Sequence, residues 1–427
     1  MERSLGVPEM VALFSTTAAQ IIGKGSNDPT CSERTAKRWR AGNVDPLSLS
    51  SDTCRVLQAM FGQPVAELFG PPIQLDARTT AFDLEQKINM MAEDAHHDAS
   101  ATAAASISDT SLDQLTDDVA GLAHDYACLA PVTALQRGHA LQARLQDQRD
   151  HTRVPAQQQR LLLLSGQTMA LLAVAAFDLG AFAGARRLAR TADLYAETAR
   201  FEPLRAYADG ILAYIAYFTS MPGEAVAKAR RAQTYGGLGD VARRRLLAIE
   251  ARALGHLGDR DAAMHALRLA EDVDDGTRDD LHDGVGGEFG FPADRLAMSN
   301  SSTALLVHDA NQAEISALQA LQLIDQQPAQ TRSAHVLGGA SADLGMARLL
   351  SDDVEGAAEA LLPLWNIPAD QRVTGVLART SQIQHLLTSP AFRGAVQPAQ
   401  LRQQIEDFTR AASAHQLTGS ALLQLEG

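Results

Sequence analysis

A recurring spacing of turn residues and alanine constrains the second half of this chain more than any other feature. A small residue that suits a tight turn is followed five positions later by alanine at Gly180, Ser220 and Gly258, and the same spacing recurs more weakly after His308 and Asp352. The five turn positions are 40, 38, 50 and 44 residues apart. Because small residues let two helices cross closely, the spacing predicts a series of helix pairs.

The length of the intervals predicts a helical-repeat domain over residues 111–427. Tetratricopeptide repeats use about 34 residues for each helix pair, so we expect longer helices or enlarged loops here. The closest single match is the segment 253–263. Stacked helix pairs form a solenoid whose concave face binds peptides or partner helices. An irregular helical bundle is the alternative.

The composition predicts that the whole protein is all-α. Hydrophobic residues make up 46% of the chain but aromatic residues only 5%, so the core must be built mostly from Leu, Ala and Val. Ala and Leu are strong helix formers. A length of 427 residues is enough for two or three domains.

The charge is distributed unevenly between the two ends of the chain. The net charge is −14, yet residues 1–72 hold seven basic and seven acidic residues. The other 355 residues hold 30 basic and 44 acidic ones. Four of the seven N-terminal basic residues fall between positions 34 and 40. A nucleic acid would therefore be repelled by the body of the protein and tolerated only near the N-terminus.

A short basic helix is predicted near the N-terminus. Ser32 is placed to cap a helix that begins at Glu33, and Gly42 is placed to end it. At 3.6 residues per turn, Ala36 and Trp39 share a side that packs inward. The charged residues that share another side are Glu33, Arg34, Lys37 and Arg38. A helix with one basic side and one buried side suits the major groove of DNA.

Two further helices are predicted to complete a domain over residues 1–72, which Pro71 and Pro72 end. The first carries an apolar stripe, and the second can begin at Pro64. Their apolar residues are Val56, Leu57, Met60, Phe61, Val65, Leu68 and Phe69. The order of cap, basic helix, glycine and following helices favours a DNA-binding domain. A small helical cap with an incidental basic surface is the alternative.

These residues carry a resemblance to known regulators. Residues 31–72 resemble the phage-repressor-type (XRE) helix-turn-helix. The larger layout resembles actinobacterial regulators that join such a domain to tetratricopeptide-like helical repeats. The segments that carry this second resemblance are 111–115, 249–258 and 282–290. It covers nearly the whole chain, and it rests on the order of the segments because none is a strict signature.

The resemblance implies a cytoplasmic, dimeric transcriptional regulator that binds double-stranded DNA and controls development or secondary metabolism. In the family, the first residues of the recognition helix and those one turn later contact base edges. The matching positions here are Glu33, Arg34, Lys37 and Arg38, and Arg40 is expected to contact the DNA backbone. The repeat domain would supply dimerisation and sensing, with a peptide or small-molecule effector in its groove.

One segment departs from the family. The stretch 23–32 is longer than the usual turn between the scaffold helix, expected over Pro8 to Ile22, and the recognition helix. It is also rich in turn-forming residues. An expanded turn of this kind, together with the acidic body, favours an alternative function. In that alternative, the protein is an interaction scaffold whose N-terminal domain no longer binds DNA.

The segment 73–110 is predicted to link the two domains. Residues 79–93 have a loose apolar stripe that indicates a helix. From His96 to Thr110, Ala, Ser and Asp dominate and large apolar residues are almost absent, which indicates a flexible linker.

Four residues of the repeat domain are candidates for ligand binding. Tyr207 and Tyr214 are seven residues apart and share a helix side, and Tyr217 follows three residues later. Tyrosine has an apolar body and a hydrogen-bonding tip, which suits binding surfaces. Asn300 is the fourth candidate. Burial in the core of the repeats is the alternative for the tyrosines.

The remaining motifs indicate neither an enzyme nor a cofactor or metal site. The glycine-rich segment 284–290 follows no predicted strand and lacks the spacing of a phosphate-binding loop, so we expect a loop anchored by Phe289 and Phe291. His96 and His97 are adjacent and point apart. The three cysteines have no paired spacing, which indicates a reducing cytoplasm. No apolar leader follows Met1, and the apolar run 161–182 is expected to be a buried helix rather than a membrane span.

Overall fold

The structure is a computed structural model that describes residues 5–22, 29–70, 79–274, 276–392 and 396–422. These residues form helices and connecting loops, and none of them lies in a β-strand. The all-α prediction is therefore confirmed for the described part of the chain. The chain divides into two compact units, which we call unit 1 (Met1–His96) and unit 2 (His97–Gly427).

Four helices build the core of unit 1. They are α1 (Val7–Ile21), α2 (Glu33–Arg40), α3 (Ser51–Phe61) and α4 (Val65–Leu68). Helix α1 packs against both α2 and α3. Phe14 and Leu57 are fully buried, and the ring centroid of Phe14 lies 5.6 Å from that of Trp39. A small aromatic cluster thus holds the helices together.

The ends of α2 form as the sequence predicts. The Ser32 hydroxyl accepts a hydrogen bond from the amide of Thr35 at 3.2 Å, which caps the helix. Gly42 has φ of +70°, in the left-handed region that glycine adopts most easily. The amide of Asn43 then donates to the carbonyl of Arg38 at 3.1 Å. The predicted start and end of the basic helix are therefore confirmed.

The helix that follows is longer than the sequence indicates. Helix α5 spans Thr79–Ala104, so residues 96–104 are helical where a flexible linker is predicted. Its side chains from residue 85 to 101 are all exposed. The alanines at 95, 99, 101, 103 and 104 explain the difference, because alanine favours helix even where no apolar side is buried.

Unit 2 is a sequential series of antiparallel helix pairs. It begins with α6 (Asp109–Asp125) and α7 (Pro131–His151). The pairs follow as α8 (Pro155–Asp178) with α9 (Phe182–Thr198), α10 (Glu202–Phe218) with α11 (Pro222–Ala232), α12 (Asp240–His256) with α13 (Arg260–Glu271), α14 (Ala293–Leu306) with α15 (Ala310–Asp325), α16 (Ala334–Leu350) with α17 (Val354–Ala360) and α18 (Leu362–Trp365), and α19 (Thr374–Leu386) with α20 (Val396–Leu422). The first helices of successive pairs also pack on one another.

All five predicted turn positions join the two helices of a pair. Each has a positive φ: Gly180 (76°), Ser220 (60°), Gly258 (75°), His308 (58°) and Asp352 (61°). In each turn the next amide donates to a carbonyl five residues back, as Asp309 does to Ala304 at 2.9 Å. The alanines at 185, 225, 263, 313 and 357 are all 0% exposed. The turn and alanine spacing is thus confirmed as the signal of the helix pairs.

These turns give a prediction about stability. Ser220→Gly should raise the free energy of unfolding by about 0.5 kcal/mol, because it removes the left-handed strain of an exposed serine at a modest entropic cost. Gly258→Ala should lower it by about 1 kcal/mol, since no atom would crowd the added Cβ and only the backbone is strained. Urea unfolding of both variants measures these changes. Ser220→Ala is the control and should change little; an equal gain from alanine and glycine would contradict the argument.

The two ends of the helix series meet in unit 2. The Thr374 hydroxyl donates to the carbonyl of Asp178 at 2.9 Å, across 196 residues of chain. The side-chain amide of Gln371 donates to the backbone carbonyl of Cys128 at 3.0 Å, across 243 residues. The segment after α6 therefore lies against the segment before α19. The series curves until it closes on itself, and the first helices of the pairs surround the interior.

The loop between α13 and α14 fills part of this interior. Phe289 and Phe291 are buried, as predicted, and the ring of Phe289 lies 4.9 Å from that of Tyr207. Gly287 has φ of +58°, and a Cβ there would collide with the backbone of Ala123 in α6. Glycine is thus required where the loop passes α6.

One described helix, α8, is long and apolar enough to cross a membrane by length and composition. Its most apolar window is 72% buried inside the protein. This burial agrees with the prediction of a core helix for the run 161–182.

Candidate functional site

The basic side of α2 is exposed in unit 1. Glu33, Arg34, Lys37, Arg38 and Arg40 are all exposed. Among the residues that the structure describes, none of these five side chains forms an ion pair with another residue. The four basic groups are therefore available to an external partner.

The opposite side of α2 is fixed in the core of unit 1. Ala36 is 0% exposed and Trp39 is 4% exposed. The Trp39 ring lies between Phe14, at 5.6 Å, and Phe69, at 6.5 Å. The indole therefore orients the helix and its basic side. The predicted expanded turn at 23–32 lies largely outside the described residues, which end at Ile22 and resume at Pro29.

A second candidate site is a partly open cavity in the interior of unit 2. Its volume is about 100 Å³, and it is lined by the first helices of the pairs together with the loop before α14. Aromatic side chains form much of its wall: Phe177, Tyr214, Tyr217, Phe218 and Phe291. The site is thus apolar over much of its surface.

Four arginines also line this interior cavity, and two of them are paired with carboxylates. Arg295 donates to Glu288 at 2.6 Å. Arg379 donates to Asp343 at 2.9 Å and to the hydroxyl of Ser302 at 2.7 Å. Because these bonds neutralise charges in a low-dielectric interior, the two pairs are structural.

The other two arginines, Arg245 and Arg252, have no carboxylate partner among the described residues. Arg245 is 4% exposed, and its guanidinium carbon lies 4.1 Å from the ring centroid of Tyr207. A Cβ at position 210 would collide with this guanidinium, so Gly210 makes room for it. Arg252 donates to the Tyr217 hydroxyl at 3.5 Å. Both arginines are therefore held by aromatic rings rather than by counter-ions.

Three buried polar atoms of the cavity wall have no hydrogen-bond partner within the described protein. They are Arg245 Nη1, Ser299 Oγ and His335 Nδ1. Burial and the nearby charges of Arg379, Arg295 and Arg252 lower the pKa of His335 well below its usual value, so the imidazole is neutral at physiological pH. An unpartnered donor or acceptor in such surroundings is costly.

Asp178 is the remaining carboxyl group in the wall. It accepts a hydrogen bond from the Tyr126 hydroxyl at 2.8 Å. Burial raises the pKa of Asp178 to about 7, against the lowering effect of this hydrogen bond. The group therefore carries little charge below neutral pH, and it forms no ion pair with Arg245 or Arg252.

The four predicted ligand-binding residues occupy different surroundings. Tyr214 and Tyr217 line the cavity. Tyr207 lies in the core behind it, and its hydroxyl donates to the carbonyl of Glu288 at 3.2 Å. Asn300 is outside the cavity and donates to Glu271 at 2.7 Å. The structure thus brings two of the four residues together at one site.

Sequence reasoning missed the polar residues of the cavity. Arg245 and Arg252 are seven residues apart and so share one side of α12, as a periodicity search for charged residues would have shown. Ser299 and His335 give no such signal, because they come from different helices that meet only in the closed series.

No group of three or more His, Cys, Asp or Glu side chains in the described ranges is arranged to hold a metal ion. No model of a known protein family matches the chain. No curated protein matches it either.

Proposed function

We propose that the protein is a cytoplasmic DNA-binding transcriptional regulator with an N-terminal helix-turn-helix and a tetratricopeptide-like repeat domain. The observation that supports this most is the exposed basic side of α2, with no internal ion pairs in the described residues. Its rigid attachment through Trp39 supports the same proposal. A DNA-recognition helix needs both an accessible polar side and a fixed orientation.

The proposed contacts follow from the side-chain chemistry. Arg34, Lys37 and Arg38 bind base edges or phosphates, and Arg40 binds the DNA backbone. Glu33 accepts a hydrogen bond from a cytosine amine. One small domain buries too little surface for tight specific binding, so a homodimer reads a two-fold site.

In this proposal, unit 2 provides dimerisation and sensing. An effector that binds one protomer arrangement more tightly than another shifts the population between them. The distance between the recognition helices of the two protomers then changes. A role in development or secondary metabolism rests only on the family resemblance of the sequence.

Genome-wide DNA occupancy in the source organism tests the proposal. The wild type should give discrete peaks, and Arg34→Ala/Arg38→Ala should lose them. With purified protein, each lost phosphate contact should lower the slope of log affinity against log salt by about 1.

The matched control is Arg187→Ala/Arg190→Ala, which removes the same charge from exposed positions on α9. Its peaks should be unchanged. Absence of peaks in the wild type would contradict the proposal.

The scaffold function is the second candidate, and the excess of acidic residues after position 72 favours it. It predicts a stable protein complex that the Arg34→Ala/Arg38→Ala variant retains in full. A wild type without DNA peaks but with such a complex would support the scaffold.

A further inference from the structure

We propose that the interior cavity of unit 2 binds a small organic carboxylate with an apolar ring, and that Arg245 and Arg252 supply the countercharge. The proposal deepens the sensing role given to unit 2 and rests on it for its biological meaning. The binding itself does not depend on DNA. Three independent features of the cavity lead to this ligand class.

The first feature is an unbalanced positive charge. Two carboxylates beside the cavity are already paired, Glu288 with Arg295 and Asp343 with Arg379. The third carboxyl group, Asp178, accepts a hydrogen bond from Tyr126 and forms no ion pair with either remaining arginine. Arg245 and Arg252 are left without an anionic partner in the described chain. Since an unpaired guanidinium in a buried position is costly, an anion that enters this cavity is stabilised.

The second feature is the set of unpartnered polar atoms. Arg245 Nη1 comes from α12, Ser299 Oγ from α14 and His335 Nδ1 from α16. A carboxylate offers two acceptor oxygens, which match the guanidinium and hydroxyl donors. The neutral His335 ring can donate or accept according to its tautomer. The three residues line one cavity although they belong to three separate helix pairs.

The third feature is the aromatic wall, which fits a flat ring. The rings of Phe177 and Tyr214 lie 6.3 Å apart, and those of Phe177 and Phe218 lie 5.0 Å apart in an edge-on arrangement. Apolar ligands bind in such pockets through buried area, while a few polar groups fix their orientation. The aromatic wall therefore favours a ligand with an apolar ring, and the two arginines favour a ligand with a negative charge.

The size of the site favours a small molecule over a peptide. A second cavity of about 540 Å³ shares five lining residues with the first: Tyr217, Phe218, Arg252, Gly375 and Arg379. The first cavity, at about 100 Å³, is comparable to cavities that hold a single ring. A peptide needs a long open groove and backbone hydrogen bonds along it, whereas this cavity is short and is lined by the side chains of packed helices.

A carboxylate fits better than a phosphate ester. A phosphate brings up to two negative charges and three strong acceptor oxygens into the site. The wall offers few unpartnered donors, and it is largely aromatic. The single, delocalised charge of a carboxylate is therefore cheaper to bury here.

The test titrates the purified full-length protein with benzoate, phenylacetate and indole-3-acetate. Each carboxylate is compared with its uncharged primary amide, and phenyl phosphate is included. Calorimetric Kd and the shift in Tm are measured. We expect at least one carboxylate to bind and to raise Tm, and its amide to bind at least about tenfold more weakly because it lacks the charge.

The variants are Arg245→Gln and Arg252→Gln, each expected to weaken carboxylate binding by about tenfold or more. Arg252→Gln keeps the test decisive if the more buried Arg245→Gln fails to fold. The matched control is Arg243→Gln, an exposed arginine on the same helix, which should bind like the wild type.

Three results would overturn the proposal: no carboxylate binds, amides bind equally well, or neither arginine variant changes Kd. Tighter binding of phenyl phosphate would assign the site to phosphate esters instead. Because no DNA is present, carboxylate binding by a protein that gives no DNA peaks would support this inference and contradict only the regulator.

Discussion

Replacing Asp343 with alanine should lower the free energy of unfolding by about 3–5 kcal/mol, because it leaves a buried guanidinium without its counter-ion. Asp343 is 2% exposed, and its carboxylate accepts hydrogen bonds from Arg379 at 2.9 Å and from the Ser301 hydroxyl at 2.8 Å. It also accepts one from Ser302. These bonds join α14, α16 and α19. Denaturant unfolding followed by circular dichroism measures the loss.

The double variant Asp343→Ala/Arg379→Met separates charge from packing. Removing both partners also removes the unpaired charge, so the double variant should be more stable than Asp343→Ala alone. Glu359→Ala, at an exposed position on α17, is the control for loss of an acidic group. If the double variant were as unstable as the single one, the ion pair would not be the cause.

Replacing Asp279 with alanine should have the second large effect, about 3 kcal/mol of lost stability. Its carboxylate accepts hydrogen bonds from the backbone amides of Gly239 (2.9 Å), Leu281 (2.9 Å) and His282 (2.7 Å). It also accepts one from the ring of His282 at 3.0 Å. Alanine would leave these buried donors unsatisfied and release the loop before α14. Amide hydrogen exchange at Leu281 and His282 would report that release directly.

The same carboxylate predicts a dependence on pH. Burial tends to raise the pKa of Asp279, but the hydrogen bonds from His282 and Gly239 outweigh it and lower the pKa to about 2. Because the folded pKa lies below the unfolded one, this contribution is present above about pH 4 and is lost as the pH falls towards 2. Between about pH 4 and pH 2, the free energy of unfolding of Asp279→Ala should therefore fall by roughly 2 kcal/mol less than that of the wild type. Asp280→Ala changes the exposed neighbouring residue and should lose stability at acid pH to the same extent as the wild type.

The helix pairs were predictable because their signal is local. A left-handed turn and a small residue at the crossing depend on residues five positions apart, so Gly180, Ser220 and Gly258 reveal them in the sequence. The cap at Ser32 and the end at Gly42 are local for the same reason. The linker prediction is wrong for residues 96–104 because alanine favours a helix there even though large apolar side chains are almost absent.

The interior cavity was not predictable, because it depends on contacts between distant helices. Nothing near Ser299 or His335 in the sequence shows that both line the same cavity as Arg245. Tyr214 and Tyr217 were identified by their chemistry, but Tyr207 on the same helix lies behind the wall. The arginine pairs Arg295–Glu288 and Arg379–Asp343 decide which charges remain unmatched, and such pairs appear only once the series has closed.

The closure of unit 2 through Thr374 and Gln371 also changes how this unit unfolds. In an open stack of repeats, each pair contacts only its neighbours, so the terminal pairs can fray while the middle stays folded. Here the hydrogen bonds to Asp178 and Cys128 give the last pair a partner at the start of the series. Unfolding of any pair then exposes both of its neighbours around a ring, so unit 2 loses its structure in one cooperative step rather than progressively from one end.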